Sequence, residues 1–180
     1  MTRAWPFRLL VLSPRHTRPP ANVTVNKQAL LDQITTVLSD ELAVLTRAAN
    51  DAFAAATDPD SKAENKYDTR TLEASYVARG QAQRVAELQE AVHTFQSMSG
   101  SPLPIGSAIN LGTLVSLKTS ESTNHYFIAP CAGGTEVMQK EQEVYVITPA
   151  SPLGQKLIGK RVGDVVPLRA GVIAEVVSAK

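Results

Sequence analysis

Two stretches of unbroken three-and-four spacing, joined by a short acidic turn, constrain this chain more than anything else in it. From Asn26 to Ala56 the positions Leu31, Ile34, Leu38, Leu42, Leu45, Ala49, Ala52 and Ala56 keep that spacing with no Gly or Pro between them. The period predicts a helix with one buried stripe. About thirty residues at ~1.5 Å rise make a rod of about 45 Å, longer than a small globular domain needs. After the turn, Tyr67, Thr71, Ala74, Ala78, Gln81, Val85, Leu88, Val92 and Phe95 continue the alternation without a slip, which is a heptad seam. Two long helices with a short connection fold back as an antiparallel hairpin, seams facing. Seam residues shrink toward the turn and enlarge toward the base, so the tip should be slim and the base should hold the larger packing.

The turn, Thr57-Asp58-Pro59-Asp60-Ser61-Lys62-Ala63-Glu64-Asn65-Lys66-Tyr67, is where the rod presents its charge. Asp58 precedes Pro59 as an N-cap precedes a first-turn proline, and Asp60 then falls where the helix dipole favours a negative charge. Capping alone accounts for Asp58 and competes with a ligand role for Asp60. Glu64 follows Asp60 by four residues, which places both on one helical face about 6 Å apart, close enough to share a cation.

Charge and cysteine content exclude several classes. The net charge is +1, but residues 1–25 carry four Arg and no acid, residues 26–98 carry seven basic and eleven acidic residues, and residues 99–180 carry seven and six. No segment offers the sustained basic face that duplex binding needs. One cysteine, Cys131, rules out an intramolecular disulfide and any multi-cysteine zinc site, and reads as small apolar filler. His16, His93 and His125 are scattered at no metal-ligand spacing. The apolar run Leu9-Leu10-Val11-Leu12 is too short for a signal-peptide core or a membrane span, so a cytoplasmic protein is expected. With Pro6, Pro14, Pro19 and Pro20 the N-terminal stretch is expected to be disordered. VNKQALL from Val25 would also be a natural start were Val25 encoded by an alternative initiation codon. Intact mass of the native protein decides that point.

Beyond Phe95 the period changes. SMSGSPLPIG, residues 97–106, breaks the helical pattern. Period-two, β-branched segments follow at 109–117, 126–129, 144–147, 165–168 and 172–177. Ser151-Pro152-Leu153-Gly154-Gln155-Lys156-Leu157-Ile158-Gly159-Lys160 has Ser at a cap, Pro at the first helical position and Gly at the end, a short helix across a small antiparallel sheet. The fold class is therefore α+β: an extension over 1–25, a coiled-coil hairpin over 26–98, a linker over 99–106 and a sheet domain over 107–180.

A hairpin whose acidic tip contains Glu64-Asn65-x-Tyr67, followed by ITPASPLGQKLIGKRVGDVV, resembles the Gre transcript-cleavage factors of bacterial RNA polymerase, GreA and GreB. The second motif carries the family's Ser-Pro, Leu-Ile-Gly-Lys and Gly-Asp elements at Ser151, Pro152, Leu157, Ile158, Gly159, Lys160, Gly163 and Asp164. The resemblance covers residues 26–180. It implies an FKBP-like C-terminal domain docked on the rim of the polymerase secondary channel and a hairpin reaching toward the active centre. The factor is then no enzyme and has no cofactor of its own. Its tip carboxylates help the polymerase hold a second Mg²⁺ and cut its own backtracked RNA, and the factor acts as a monomer that meets the RNA 3′ end indirectly. Mg²⁺ binds one or two carboxylates plus phosphate, so acids on a rod hold it only together with the polymerase's own ligands.

The family pattern separates its tip acids by two residues, Asp-x-x-Glu, and counting back from Glu64 that position is Ser61. Either Asp60 or Asp58 supplies the first ligand through a one-residue change in the turn, or the pair is incomplete and cleavage is lost. Glu64 and Asp60 are the expected metal ligands and Asp58 the third candidate. Asn65 and Tyr67 read as structural. Lys66, Arg70, Arg79 and Arg84 are candidates for a basic patch toward RNA, with a solvated face as the alternative. The rival classes are a polymerase-binding regulator or inhibitor without cleavage activity, an FKBP-like prolyl isomerase, and a coiled-coil scaffold. Tyr126, Phe127 and Tyr145 are few aromatics for an isomerase pocket.

Overall fold

The structure, a computed structural model, describes residues 26–57, 70–168 and 171–180. Helix α1 spans Lys27–Thr57 and α2 spans Arg70–Ser97, packed side by side. The seam positions are the protected ones: Leu31, Ile34, Leu38, Leu88 and Phe95 are buried, while Leu42, Leu45, Ala49, Ala52, Ala78, Gln81, Val85 and Val92 are half-buried. Helix α1 starts at Asn26, whose side-chain Oδ1 accepts from the N–H groups of Gln28 (3.0 Å) and Ala29 (3.2 Å) and so satisfies two donors of the first turn.

Six strands follow: β1 Leu114–Lys118, β2 Thr123–Ile128, β3 Glu136–Gln139, β4 Gln142–Ile147, β5 Val165–Pro167 and β6 Ile173–Ala179, with helix α3 over Pro152–Leu157 between β4 and β5. They form one sheet in the order β3-β4-β2-β1-β6-β5. The expected wholly antiparallel sheet is corrected in one place: β2 and β4 pair in parallel, His125 opposite Val144 and Ile128 opposite Ile147. The cause is β3, which the sequence reading did not contain. One extra chain reversal between β2 and β4 turns an antiparallel neighbour into a parallel one. That reversal is the two-residue turn Lys140-Glu141, both at positive φ (47° and 66°), between the paired residues Gln139 and Gln142. Two consecutive positive φ values are those of a type I′ hairpin turn. The first expected strand also begins late, because 109–113 is a loop closed by Gly112 at φ 76°.

The two faces of the sheet are covered differently. One carries Val115, Leu117, Ile128, Val166, Ala174 and Val176 against Leu157 of α3 and against Ile109. The other carries Leu114, Phe127, Val137, Val144 and Val146, and it packs on Leu30, Leu31, Ile34, Leu88, Ala91 and Phe95 of the hairpin. Phe95 and Phe127 meet across this junction with ring centroids 6.3 Å apart. The hairpin base and the sheet therefore share one apolar core.

Candidate functional site

The hairpin's proximal end is fixed by more than apolar contact. The backbone N–H of Asn26 donates to Gln139 Oε1 (2.9 Å), and Gln139 Nε2 donates back to the Asn26 carbonyl (3.1 Å). Gln139 is buried and Asn26 is exposed, so this two-way amide pair, shielded from water on the Gln139 side, ties the start of α1 to the end of β3. About two turns further on, Gln33 Nε2 donates to the Met138 carbonyl (2.6 Å), covering part of the free edge of β3. At the far end the shaft is slim and wet: Phe53 and Tyr76 are 64% and 66% exposed, and Thr57 closes α1 by donating to the Phe53 carbonyl (2.9 Å).

Asp58, Asp60 and Glu64 lie outside the described residues, as do Asn65, Lys66 and Tyr67. Helices α1 and α2 flank them in sequence. Among the described residues no group of three or more His, Cys, Asp or Glu could hold a metal ion, and no helix is long and apolar enough to cross a membrane. Of the basic candidates, Arg79 is exposed, and Arg84 lies between Glu41 (3.8 Å) and Glu87 (3.5 Å). Arg84 thus already has carboxylate partners within the hairpin.

The motif from Ser151 to Asp164 does structural work. Ser151 Oγ accepts from the Gly154 N–H (3.0 Å) and donates to the Thr148 carbonyl (2.7 Å), and Pro152 opens the helix. Gly154 sits so close to the Thr148 carbonyl oxygen that any side chain would overlap it. Gly159 at φ 82° turns the chain so that its N–H reaches the Ile109 carbonyl (2.9 Å), while the Ile109 N–H reaches the Lys160 carbonyl (2.7 Å). Gly163, at φ 91°, donates to the Val176 carbonyl (2.8 Å), and Asp164 Oδ2 accepts from the Arg161 N–H (2.8 Å). These residues hold α3 and the turn into β5 against the sheet.

The same region weighs against an isomerase pocket, because the space beneath α3 is filled by Leu157 and its apolar neighbours. Tyr126 and Tyr145 stack on the sheet at 5.9 Å, and the Tyr145 hydroxyl donates to Glu143 Oε2 (2.6 Å). That hydrogen bond above all pushes the phenol up to about 12, far from any proton-transfer role near neutrality. Sequence reading missed a groove between the hairpin and residues 131–136. Its lining mixes Val37, Leu38, Leu88 and Ala91 with Glu41, Glu87 and Glu136. The only sequence signal for it was the breadth of the apolar stripe near the base.

Solved structures that the chain is similar to include three Gfh1 factors. They are the GreA factor homolog 1 (Gfh1) protein of Thermus thermophilus, at 21% identity over 81% of this chain and 94% of that one, TM-score 0.33; a structure described as the transcription factor Gfh1, at 20% identity over 82% and 93%, TM-score 0.35; and Thermus aquaticus Gfh1, at 19% identity over 80% and 92%, TM-score 0.34. No model of a protein family and no curated protein matches the chain.

Proposed function

We propose that this protein is a factor that binds bacterial RNA polymerase, inserts its hairpin into the secondary channel and stimulates cleavage of backtracked RNA. Glu64 and Asp60, with Asp58 as the alternative first ligand, contribute carboxylate oxygens to the second Mg²⁺ of the polymerase active centre. The chemistry at the phosphodiester belongs to the polymerase, and the factor contributes ligands and their placement. It acts as a cytoplasmic monomer. The observation that carries this reading is the division of the hairpin into a base locked into the sheet core and a narrow distal shaft, which suits delivery of a tip rather than lengthwise self-association. The motif from Ser151 to Asp164 supports it by resemblance.

A second reading keeps the binding site and removes the cleavage. The one-residue displacement of the first tip acid from the family spacing favours it. RNA cleavage in a backtracked elongation complex with Mg²⁺ separates the two. Stimulation by the wild type, abolished in Glu64→Ala and reduced in Asp60→Ala, establishes the cleavage factor. Polymerase binding with intact RNA establishes the regulator, and no binding to polymerase removes both.

A further inference from the structure

The groove between the hairpin and residues 131–136 has a volume of about 530 Å³, within the roughly 300–1,000 Å³ of pockets that hold a compact ligand. Apolar side chains form its floor: Leu38, Leu88 and Ala91 are buried, and Val37 stands 39% exposed at the mouth. Carboxylates form its rim. Glu41 and Glu87 flank Arg84 on the hairpin, and Glu136 joins them from the start of β3. Three carboxylates thus share one guanidinium, and Glu136 has no ion-pair partner among the described residues. Glu90, likewise without a cation, lines the adjoining hollow beside Cys131.

The remaining wall is backbone. In the loop before β3 the Ala132 carbonyl accepts from the Thr135 N–H (3.3 Å) and the Gly134 N–H donates to the Val146 carbonyl (2.9 Å). The N–H groups of Cys131, Ala132 and Gly133 and the carbonyls of Cys131, Gly133 and Gly134 make no hydrogen bond among the described residues. A ligand that matches floor, rim and wall carries aliphatic groups, positive charge beside them, and both donors and acceptors along its length. An extended peptide has that combination, because its own N–H and C=O groups recur at every residue and its side chains supply the rest.

We infer that the groove is a docking site for a short extended segment of a partner protein, two or three aliphatic residues flanked by Lys or Arg. The floor takes the aliphatic side chains, the rim carboxylates take the cations, and the loop backbone bonds to the segment's amides. The charge of the rim sets partner choice, since the same carboxylates repel an acidic segment. The site lies at the root of the hairpin, and the inference is independent of the polymerase reading.

The test pans the full-length protein against random linear peptides displayed on phage, with counter-selection on Glu87→Lys/Glu136→Lys. Both replaced residues are exposed, so the variant should keep the fold, which thermal unfolding checks. Peptides with two or three aliphatic residues beside Lys or Arg should be enriched. A synthetic copy of the most enriched one should bind the double variant about tenfold more weakly, because two attractive charge contacts become repulsive. Its affinity should fall as salt is raised, and Val37→Asp, at the exposed edge of the floor, should weaken it as well. Cys131, the sole cysteine, lines the groove and reports the location: saturating peptide should slow its alkylation by uncharged iodoacetamide several-fold. Enrichment of acidic or uncharged peptides, or of none, overturns the proposal, as does equal binding to wild type and double variant or an unchanged rate at Cys131. Protection of Cys131 that rises with protein concentration alone also overturns it, because the groove then belongs to a second copy.

Discussion

The two ends of the hairpin obey the same heptad rule and differ in what surrounds it. At the base, Leu30 and Leu31 of α1 and Ala91 and Phe95 of α2 face the partner helix and the sheet together, and the start of α1 is held by an exchange of hydrogen bonds with the buried Gln139. In the distal half, alanines line the seam, Tyr76 and Val77 stand in solvent, and Gly80 interrupts the run of good helix formers. The difference teaches that this helical pair draws its stability from one end. Most helical stability comes from tertiary packing rather than intrinsic propensity, and among the described residues only the base has a third partner.

Four measurements break or sharpen that contrast. Phe95→Ala removes a fully buried ring from the shared core and should cost about 3–5 kcal/mol in denaturant unfolding, against within about 0.5 kcal/mol for Tyr76→Ala in the shaft. Similar losses at the two sites would erase the contrast. Asn26→Ala deletes the cap, worth about 1 kcal/mol, and frays the first turn that presents its backbone to Gln139, where an unsatisfied buried amide costs about 1–3 kcal/mol. A loss of about 2 kcal/mol or more is expected, and Gln139→Ala should match much of it. Gly80 is exposed with nothing near an added Cβ, so Gly80→Ala should raise helicity and stability by up to about 0.8 kcal/mol. No gain would mean that the distal half is already fully helical for another reason.

The smallest effect is a pH dependence on the sheet. His125 Nδ1 lies 2.9 Å from Ser116 Oγ, and burial first, then the charge of Lys180, holds the imidazole below its ordinary 6.5. The folded state thus prefers the neutral ring. Its contribution is complete above about 6.5 and is lost as the pH falls from there through the folded value. Stability should decline on acidification across that window, and His125→Gln should flatten the slope. An unchanged slope assigns the dependence to other groups.

Local chemistry was legible in the sequence and long-range pairing was not. The heptads gave the course of both helices over the described residues, and Ser151, Pro152 and Gly159 gave α3, because periods and caps act within a few positions. Strand β3 escaped because its turn, Lys140-Glu141, lacks the Asn or Gly that usually occupies positive φ, so four residues of strand read as part of a loop. The parallel pair β2/β4 was hidden with it. The shared core left only a trace: Leu30 beside Leu31, and Ala91 beside Val92, widen the stripe at the base beyond what a two-helix seam uses. Of the candidate site, the acids Asp58, Asp60 and Glu64 were named from sequence and rest on it still, whereas the groove under the shaft emerged only once β3 and its leading loop were in place.

The exchange of hydrogen bonds between Asn26 and Gln139 sits at the fulcrum of a lever. Helix α1 has 31 residues, so at ~1.5 Å per residue its arm is about 46 Å, and each degree of tilt at the root sweeps the far end through about 0.8 Å. Holding the far end to within about half an ångström leaves an angular tolerance of about half a degree. A pivot held by a single hydrogen bond is free to rotate about it. The two opposed bonds leave much less of that freedom, so one amide at the end of a four-residue strand joins the apolar core in setting the aim of the arm.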